Sequence, residues 1–253
     1  MADTGDAHLL LRSYAVTHPR RLEVQARQYA DWDQLAFAAR GVITVETTTG
    51  TWTVPPHRAV WVPARVPFTL RTSGRVTLRT LFLRPSLTRR QLPRHCVALN
   101  VTPLVRELIL EAARRNTLRR AVAADRRLVR LLVDHLAGLD QEPLQCPLPR
   151  DPRALRAAHL IAEDGASPLR HVARLVGASA RTLERLFLRE TAMTLGRWRR
   201  RARLTQALRL LADGNDVTSA AMAVGYQTPS AFIVAFRREL GTTPGQYFHE
   251  GTR

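Results

Sequence analysis

Two stretches decide the fold of the second half of the chain: Val172-Ala173-Arg174-Leu175-Val176-Gly177 and Ala220-Ala221-Met222-Ala223-Val224-Gly225. They align at an offset of 48 residues, and further on Leu183, Phe187, Arg189 and Glu190 fall on Phe232, Phe236, Arg238 and Glu239 at an offset of 49. The second copy therefore has a turn one residue longer. Each copy reads as a short helix, a Gly turn and a second helix with Leu or Phe at i and i+4, which is the helix-turn-helix pattern. Ala near the crossing point lets the two helices approach, and Gly accepts the left-handed backbone of the turn.

Between the copies, Leu204, Ala207, Leu208 and Leu211 recur at i, i+3, i+4 and i+7, so Leu195 to Ala212 is expected as one amphipathic helix. Eighteen such residues span roughly 27 Å at 1.5 Å each. Allowing for the lateral offset of the units it holds, that length suits two recognition helices in successive major grooves, about 34 Å apart on B-DNA. Its start, Arg197-Trp198-Arg199-Arg200-Arg201-Ala202-Arg203, is the densest basic cluster, with Trp198 expected to pack and its arginines to reach phosphate. Asp151-Pro152, Ser167-Pro168, Thr228-Pro229 and Thr243-Pro244 each pair a capping residue with Pro at a first helical turn, and Gln246 completes a capping box with Thr243. Gly214 marks a helix end. Six or seven helices are expected after residue 152.

The first half reads differently. Gly41 to Leu83 carries β-branched residues in alternation, broken at Gly50, Pro55-Pro56 and Gly74, which suggests short strands in a small antiparallel barrel or sandwich. From Pro103 the period becomes helical, with Leu104, Glu107, Leu108, Glu111 and Ala112, and then Leu128, Leu131, Leu132, His135 and Leu136. Gln141 to Pro152 holds prolines at 143, 147, 149 and 152, too many for a helix or a central strand, and reads as a linker. The division is thus 1–95 for a β sensor domain, 96–140 for a helical dimerisation segment, 141–152 for the linker and 153–253 for the helical domain. The Leu stripe of 103–139 is the reason to expect a homodimer interface there, against packing within the chain.

Of 253 residues 45% are hydrophobic, enough for a sizeable core, which excludes a disordered tail. All 39 basic residues are Arg, against 21 acids, a formal charge of +18 that favours polyanionic partners. The surplus is spread evenly, however: 23 Arg and 12 acids in residues 1–150, 16 and 9 in 151–253. Residues 84–130 alone hold 12 Arg and three acids, outside both repeated units. Cys96 and Cys146 are too few for a disulfide framework. The acidic start, Met1 to Asp6, has no apolar run after it, and a soluble cytoplasmic protein is expected.

Thr218 to Tyr226, Ser230-Ala231-Phe232, Phe236-Arg237-Arg238, Leu240-Gly241, Thr243-Pro244 and Tyr247 resemble the C-terminal signature of the AraC-type (AraC/XylS) bacterial transcription regulators. Gly41 to Thr47, Trp52, Val54-Pro55-Pro56, Ala59 to Pro63 and Arg79-Thr80-Leu81 resemble the cupin-type N-terminal domain of one subgroup, and Cys96-Val97-Ala98 with Pro103 to Ile109 fits its helical continuation. The resemblance implies an α+β, two-domain chain: a cupin-like β-barrel with following helices, then two helix-turn-helix units joined by a long helix. It implies a sequence-specific DNA-binding regulator that answers to a small-molecule effector, a homodimer, contact with RNA polymerase, and no enzymatic activity. Ala30 and Phe68 stand where related cupin halves often carry His, and no two of the eight histidines are spaced two to five apart. No metal and no cofactor are expected.

Arg181, Glu184 and Arg185 share a face opposite Leu183, Leu186 and Phe187. By resemblance they read bases; Arg suits guanine and Glu suits cytosine. A phosphate contact or an intrahelical Arg181 to Glu184 pair is the competing reading. In the second unit the matching face is Ser230, Ile233 and Val234, where readout is expected to be weak and Ile233 and Val234 can equally be packed. Thr182, Arg189, Arg199, Arg200, Gln227 and Thr228 are the phosphate candidates. Tyr29, Trp32, Gln34, Trp52, Trp61 and Phe68 are candidates to line an effector pocket, with core packing as the alternative. Arg65, Arg71 and Arg79 are candidates to meet an anionic ligand, or form solvated strand faces. Cys96 beside His95 reads as a redox or metal sensor or, more simply, a buried thiol. Two other classes remain: a cupin-type metal-dependent enzyme fused to helices, and a non-specific basic DNA-binding protein.

Overall fold

The computed structural model describes residues 8–18, 23–27, 29–56, 58–141 and 145–249. In chain order the elements are β1 (Leu9–His18), β2 (Glu23–Arg27), β3 (Asp33–Thr47), β4 (Gly50–Val54), β5 (Arg58–Val62), β6 (Phe68–Leu83), α1 (Pro85–Thr88), β7 (Val97–Asn100), α2 (Pro103–Arg115), β8 (Thr117–Arg119), α3 (Ala123–Ala137) and β9 (Gln145–Pro147). Seven helices follow among the described residues: α4 (Pro152–Glu163), α5 (Leu169–Leu175), α6 (Ala180–Thr191), α7 (Leu195–Ala212), α8 (Val217–Ala223), α9 (Pro229–Leu240) and α10 (Pro244–His249). The chain divides into two compact units, one of Met1–Thr47 with Val54–Pro143, the other of Thr48–Thr53 with Leu144–Arg253.

In the first unit the strands run β7-β5-β3-β6-β1-β8, with β2 also on β6. The path ends at β7 and β8, so the sheet is open where a closed barrel was expected. Nor are its central strands short. β3 has 15 residues and β6 has 16, and β6 pairs with β2 through Phe68–Arg71 and with β1 through Val76–Leu83. The bend sits where Gly41 faces 74–76, and the β3–β6 register shifts there. Gly41 has φ of 77°, and a Cβ on it would lie 2.6 Å from the Arg75 carbonyl oxygen. Glycine therefore lets one continuous strand change direction instead of ending.

One face of this sheet is covered by α2 and α3. Leu35, Phe37, Trp61, Leu81 and Leu83 pack with Val105, Ile109, Ala112, Val129, Leu132, Val133 and Leu136 in one core. The Leu stripe of 103–139 is thus largely used within the chain. Its buried face in α2 is Val105, Ile109, Ala112 and Ala113, while Leu104 and Leu131 stay exposed. The Pro-rich stretch also has structure. β9 pairs with β4 in the second unit, Thr51 opposite Cys146. Pro147 ends an edge strand, where a missing N–H does no harm.

Candidate nucleic-acid interface

The second unit is built from locally capped helices. Asp151, Ser179, Thr194, Asp216 and Thr228 each accept a backbone N–H of the first turn of α4, α6, α7, α8 and α9. Ser167 does not cap α5 as expected; Pro168 takes that position, and the Ser167 hydroxyl donates to Asp164 Oδ2 at 2.7 Å. The α5–α6 turn covers 176–179 and the α8–α9 turn 224–228, one residue longer, with Gly177 at φ 64° and Gly225 at φ 83°. A Cβ on Gly225 would come within 2.9 Å of Ala166 Cα, so this turn needs Gly for approach as well as for its backbone angle.

α7 is buried on two sides. Leu195, Trp198 and Ala202 join the core of α4, α5 and α6, whereas Leu204, Ala207 and Leu208 join Ala221, Val224, Phe232 and Phe236. At 100° per residue these stripes point roughly 160° apart. The single amphipathic stripe expected from sequence is therefore two half-length stripes, one for each helix-turn-helix unit.

The arginines of α7 behave unlike the expectation. Arg199 Nη2 donates to the Ser167 carbonyl (2.7 Å), Arg203 Nε to Gly165 (2.7 Å), Gln206 Nε2 to Glu163 (3.0 Å) and Arg209 Nη2 to Ala162 (3.2 Å). These carbonyls lie at and beyond the C-terminal turn of α4, where a helix leaves acceptors without partners and attracts cations. On another side of α7, Arg201 Nη1 donates to Gln145 O (2.9 Å) and Trp198 Nε1 to Pro147 O (2.8 Å), fixing β9. Burial, with the charge of Arg203, holds the Arg199 guanidinium below its ordinary pKa. Arg199 is thus turned inward, away from the phosphate role its sequence position suggests. Arg197 and Arg200 remain exposed.

The faces left open are those of α6 and α9. Leu183, Leu186 and Phe187 are buried, while Arg181, Glu184 and Arg185 are exposed. No ion pair joins Arg181 to Glu184 among the described residues. Leu188, 56% exposed, continues this face and went unnoticed in the sequence, although it lies at i+4 from Glu184. On α9 Ser230 is exposed and Val234 is 68% exposed, while Ile233 is half-buried against the core. Arg237 and Arg238 extend that exposed face; the spacing Ser230, Val234, Arg237, Arg238 is the signal that would have found Arg237. Thr182 bonds the Ser179 hydroxyl at 2.9 Å. Arg189 donates to Glu190 (2.6 Å), whose other carboxylate oxygen accepts the N–H groups of Arg150 and Asp151 ahead of α4. Gln227 and Thr228 are exposed at the start of α9.

A helix-turn-helix domain model matches residues 172–250. The HTH-type transcriptional regulator NimR of Escherichia coli K12 is 35% identical over 216 residues, covering 85% of this chain and 78% of NimR. The chain belongs to the AraC-type family of helix-turn-helix transcriptional regulators. The HTH-type transcriptional regulator RipA of Corynebacterium glutamicum is 35% identical over 103 residues, 40% of this chain and 31% of RipA. Among solved structures, ToxT of Vibrio cholerae aligns over 96% of this chain and 100% of that one, at 11% identity and a TM-score of 0.41.

In this AraC-type chain the six side chains expected around one effector pocket do not come together. Tyr29 packs on Phe68 and Phe82, and Trp32 lies with Phe82 under the guanidinium of Arg12. Gln34, 5% exposed, is the Cα partner of Phe82 across the β3–β6 ladder, and its Oε1 is buried without a hydrogen bond. Trp61 belongs to the core under α2 and α3. Trp52 lies on β4, beside β9 in the other unit, through its partner Gln145. Burial raises Cys96 to a pKa of about 12 and Cys146 to about 11, so neither is a thiolate near neutrality. Arg71 pairs with Glu46 at 3.1 Å. Among the described residues no three His, Cys, Asp or Glu side chains gather to hold a metal, and no helix is long and apolar enough to cross a membrane.

Proposed function

We propose that α6 reads bases in the major groove through Arg181, Glu184 and Arg185, and that α9 contributes through Ser230, Val234 and the shape of the DNA. Support comes from one observation: the charged face of α6 is exposed and, among the described residues, untied to the protein, while Leu183, Leu186 and Phe187 opposite it are buried. Exposed Val234 fits contact with a thymine methyl. Thr182, Arg189, Arg200, Gln227 and Thr228 are assigned to phosphate, with Arg197 replacing Arg199. The effector is a small molecule taken up by the first unit, the active species is a homodimer working on promoter DNA beside RNA polymerase in the cytoplasm, and the chain catalyses no reaction. The exposed Leu104 and Leu131 of α2 and α3 are what remains of the stripe for a partner protomer.

The test is binding to operator and to random DNA side by side. Arg185→Ala reduces the preference for operator by about 1–3 kcal/mol, whereas Arg200→Ala weakens both DNAs alike. Equal losses on both DNAs for Arg185→Ala remove it from the base-reading set. A non-specific binder gives a steep salt dependence and no preferred footprint.

A further inference from the structure

The Arg surplus of residues 84–130 has no part in the DNA-facing helices. Some of it gathers in the first unit at a cleft of about 670 Å³ between the start of β3, the end of β5, α1 and the 89–94 loop. Arg65, Arg84, Arg89 and Arg94 reach it from four separate backbone positions, against the two carboxylates Asp31 and Asp33.

The walls are tied together by hydrogen bonds. Asp33, 5% exposed, accepts the Ala64 N–H at 2.7 Å and the Thr88 hydroxyl, tying β3 to the turn after β5 and to α1. Trp61 Nε1 donates to the Pro93 carbonyl at 3.0 Å, which pins the loop. The Arg84 guanidinium is stacked 4.1 Å from the Trp32 ring centre. Arg65 itself has φ of 67°, a backbone state costing a non-glycine residue on the order of 1 kcal/mol. Its N–H donates to Tyr29 O at 2.9 Å, which holds that turn in place.

We infer that this cleft binds a small organic anion, its carboxylate or phosphate held by the arginines and its body resting against the Pro and Trp walls. Planar guanidinium groups pair with such heads in two-point contacts, and the volume is that of ordinary small-molecule sites. Trp61 lines this cleft and Trp32 backs its Arg84, so the cleft borders two of the six residues expected around a pocket, while Trp52 lies on β4. The inference rests on the reading that the first unit takes up an effector, and names its chemical class.

The experiment is calorimetric titration of the full chain with benzoate, 1-naphthoate and phenyl phosphate, with neutral benzamide and inorganic phosphate as comparisons. At least one organic anion is expected to saturate one site per chain, at least about tenfold more tightly than benzamide or inorganic phosphate. Arg89→Gln and Arg94→Gln, at exposed positions, each weaken it about tenfold without moving Tm. Arg114→Gln, on α2 and paired with Glu111, leaves it unchanged. Absence of saturable binding by all three organic anions, or binding indifferent to Arg89→Gln and Arg94→Gln, overturns the site; tighter binding of inorganic phosphate overturns the organic class. Operator affinity is then measured with and without the bound anion. Arginine-dependent binding that leaves operator affinity unchanged keeps the site and rejects the effector reading.

Discussion

Arg203 shows how little a basic residue's type says about its task. It lies in the densest cationic run of the chain, yet its Nε serves the Gly165 carbonyl. Removing it leaves a partly buried acceptor unsatisfied, so Arg203→Ala is expected to cost about 1–3 kcal/mol of stability in the second unit. Arg200→Ala, at an exposed position, leaves Tm unchanged and acts on DNA affinity alone; thermal melts of both variants without DNA separate the two roles. The cysteines offer a second check. With the Cys96 and Cys146 thiols pushed up to about 12 and about 11 by burial, thiolate is the major form only above those values in the folded chain. A disulfide reagent at mildly alkaline pH is therefore expected to label neither until denaturant is added. Prompt native labelling of Cys96 would restore it as a sensor.

At the scale of elements, the helices of the second unit were legible because their signals are local. Ser179 to Thr182 and Thr228 to Ala231 are bonds between residues three apart, and Ser167 misled because its hydroxyl had an equally local alternative in Asp164. Strands β1 and β9 stayed hidden because their partners are distant, Leu11 opposite Leu83 and Cys146 opposite Thr51. The same holds for the α7 arginines, whose carbonyl partners lie 32 to 56 residues away. The exposed faces of α6 and α9 could be read from helical period alone; the cleft by α1 could not, since it is assembled from four segments. Gly50 and Gly74 looked like equivalent turn signals, yet Gly74 at φ 68° lies inside β6. The bend opposite it makes a firm prediction. Gly41→Ala meets both a positive φ and a backbone oxygen at 2.6 Å, so a loss of at least roughly 1–3 kcal/mol is expected, read as a lower Tm or insoluble expression.

For the molecule as a whole, the formal +18 overstates what DNA can feel. Arg199, Arg201, Arg203 and Arg209 are occupied with carbonyls, so the salt dependence of operator binding should reflect only the exposed set. Each phosphate contact contributes a slope of about 0.9, and Arg200→Ala should reduce it by about that amount. The other whole-molecule consequence belongs to α7, gripped by one core along its first half and by another along its second. Such a helix is a shaft keyed at both ends: it fixes the phase between α6 and α9 as well as their distance. One residue inserted near its middle would turn the second unit by about 100° and advance it by about 1.5 Å. Bases in the operator can then drift over evolutionary time, but the number of base pairs between its two half-elements should be as fixed as the length of this helix.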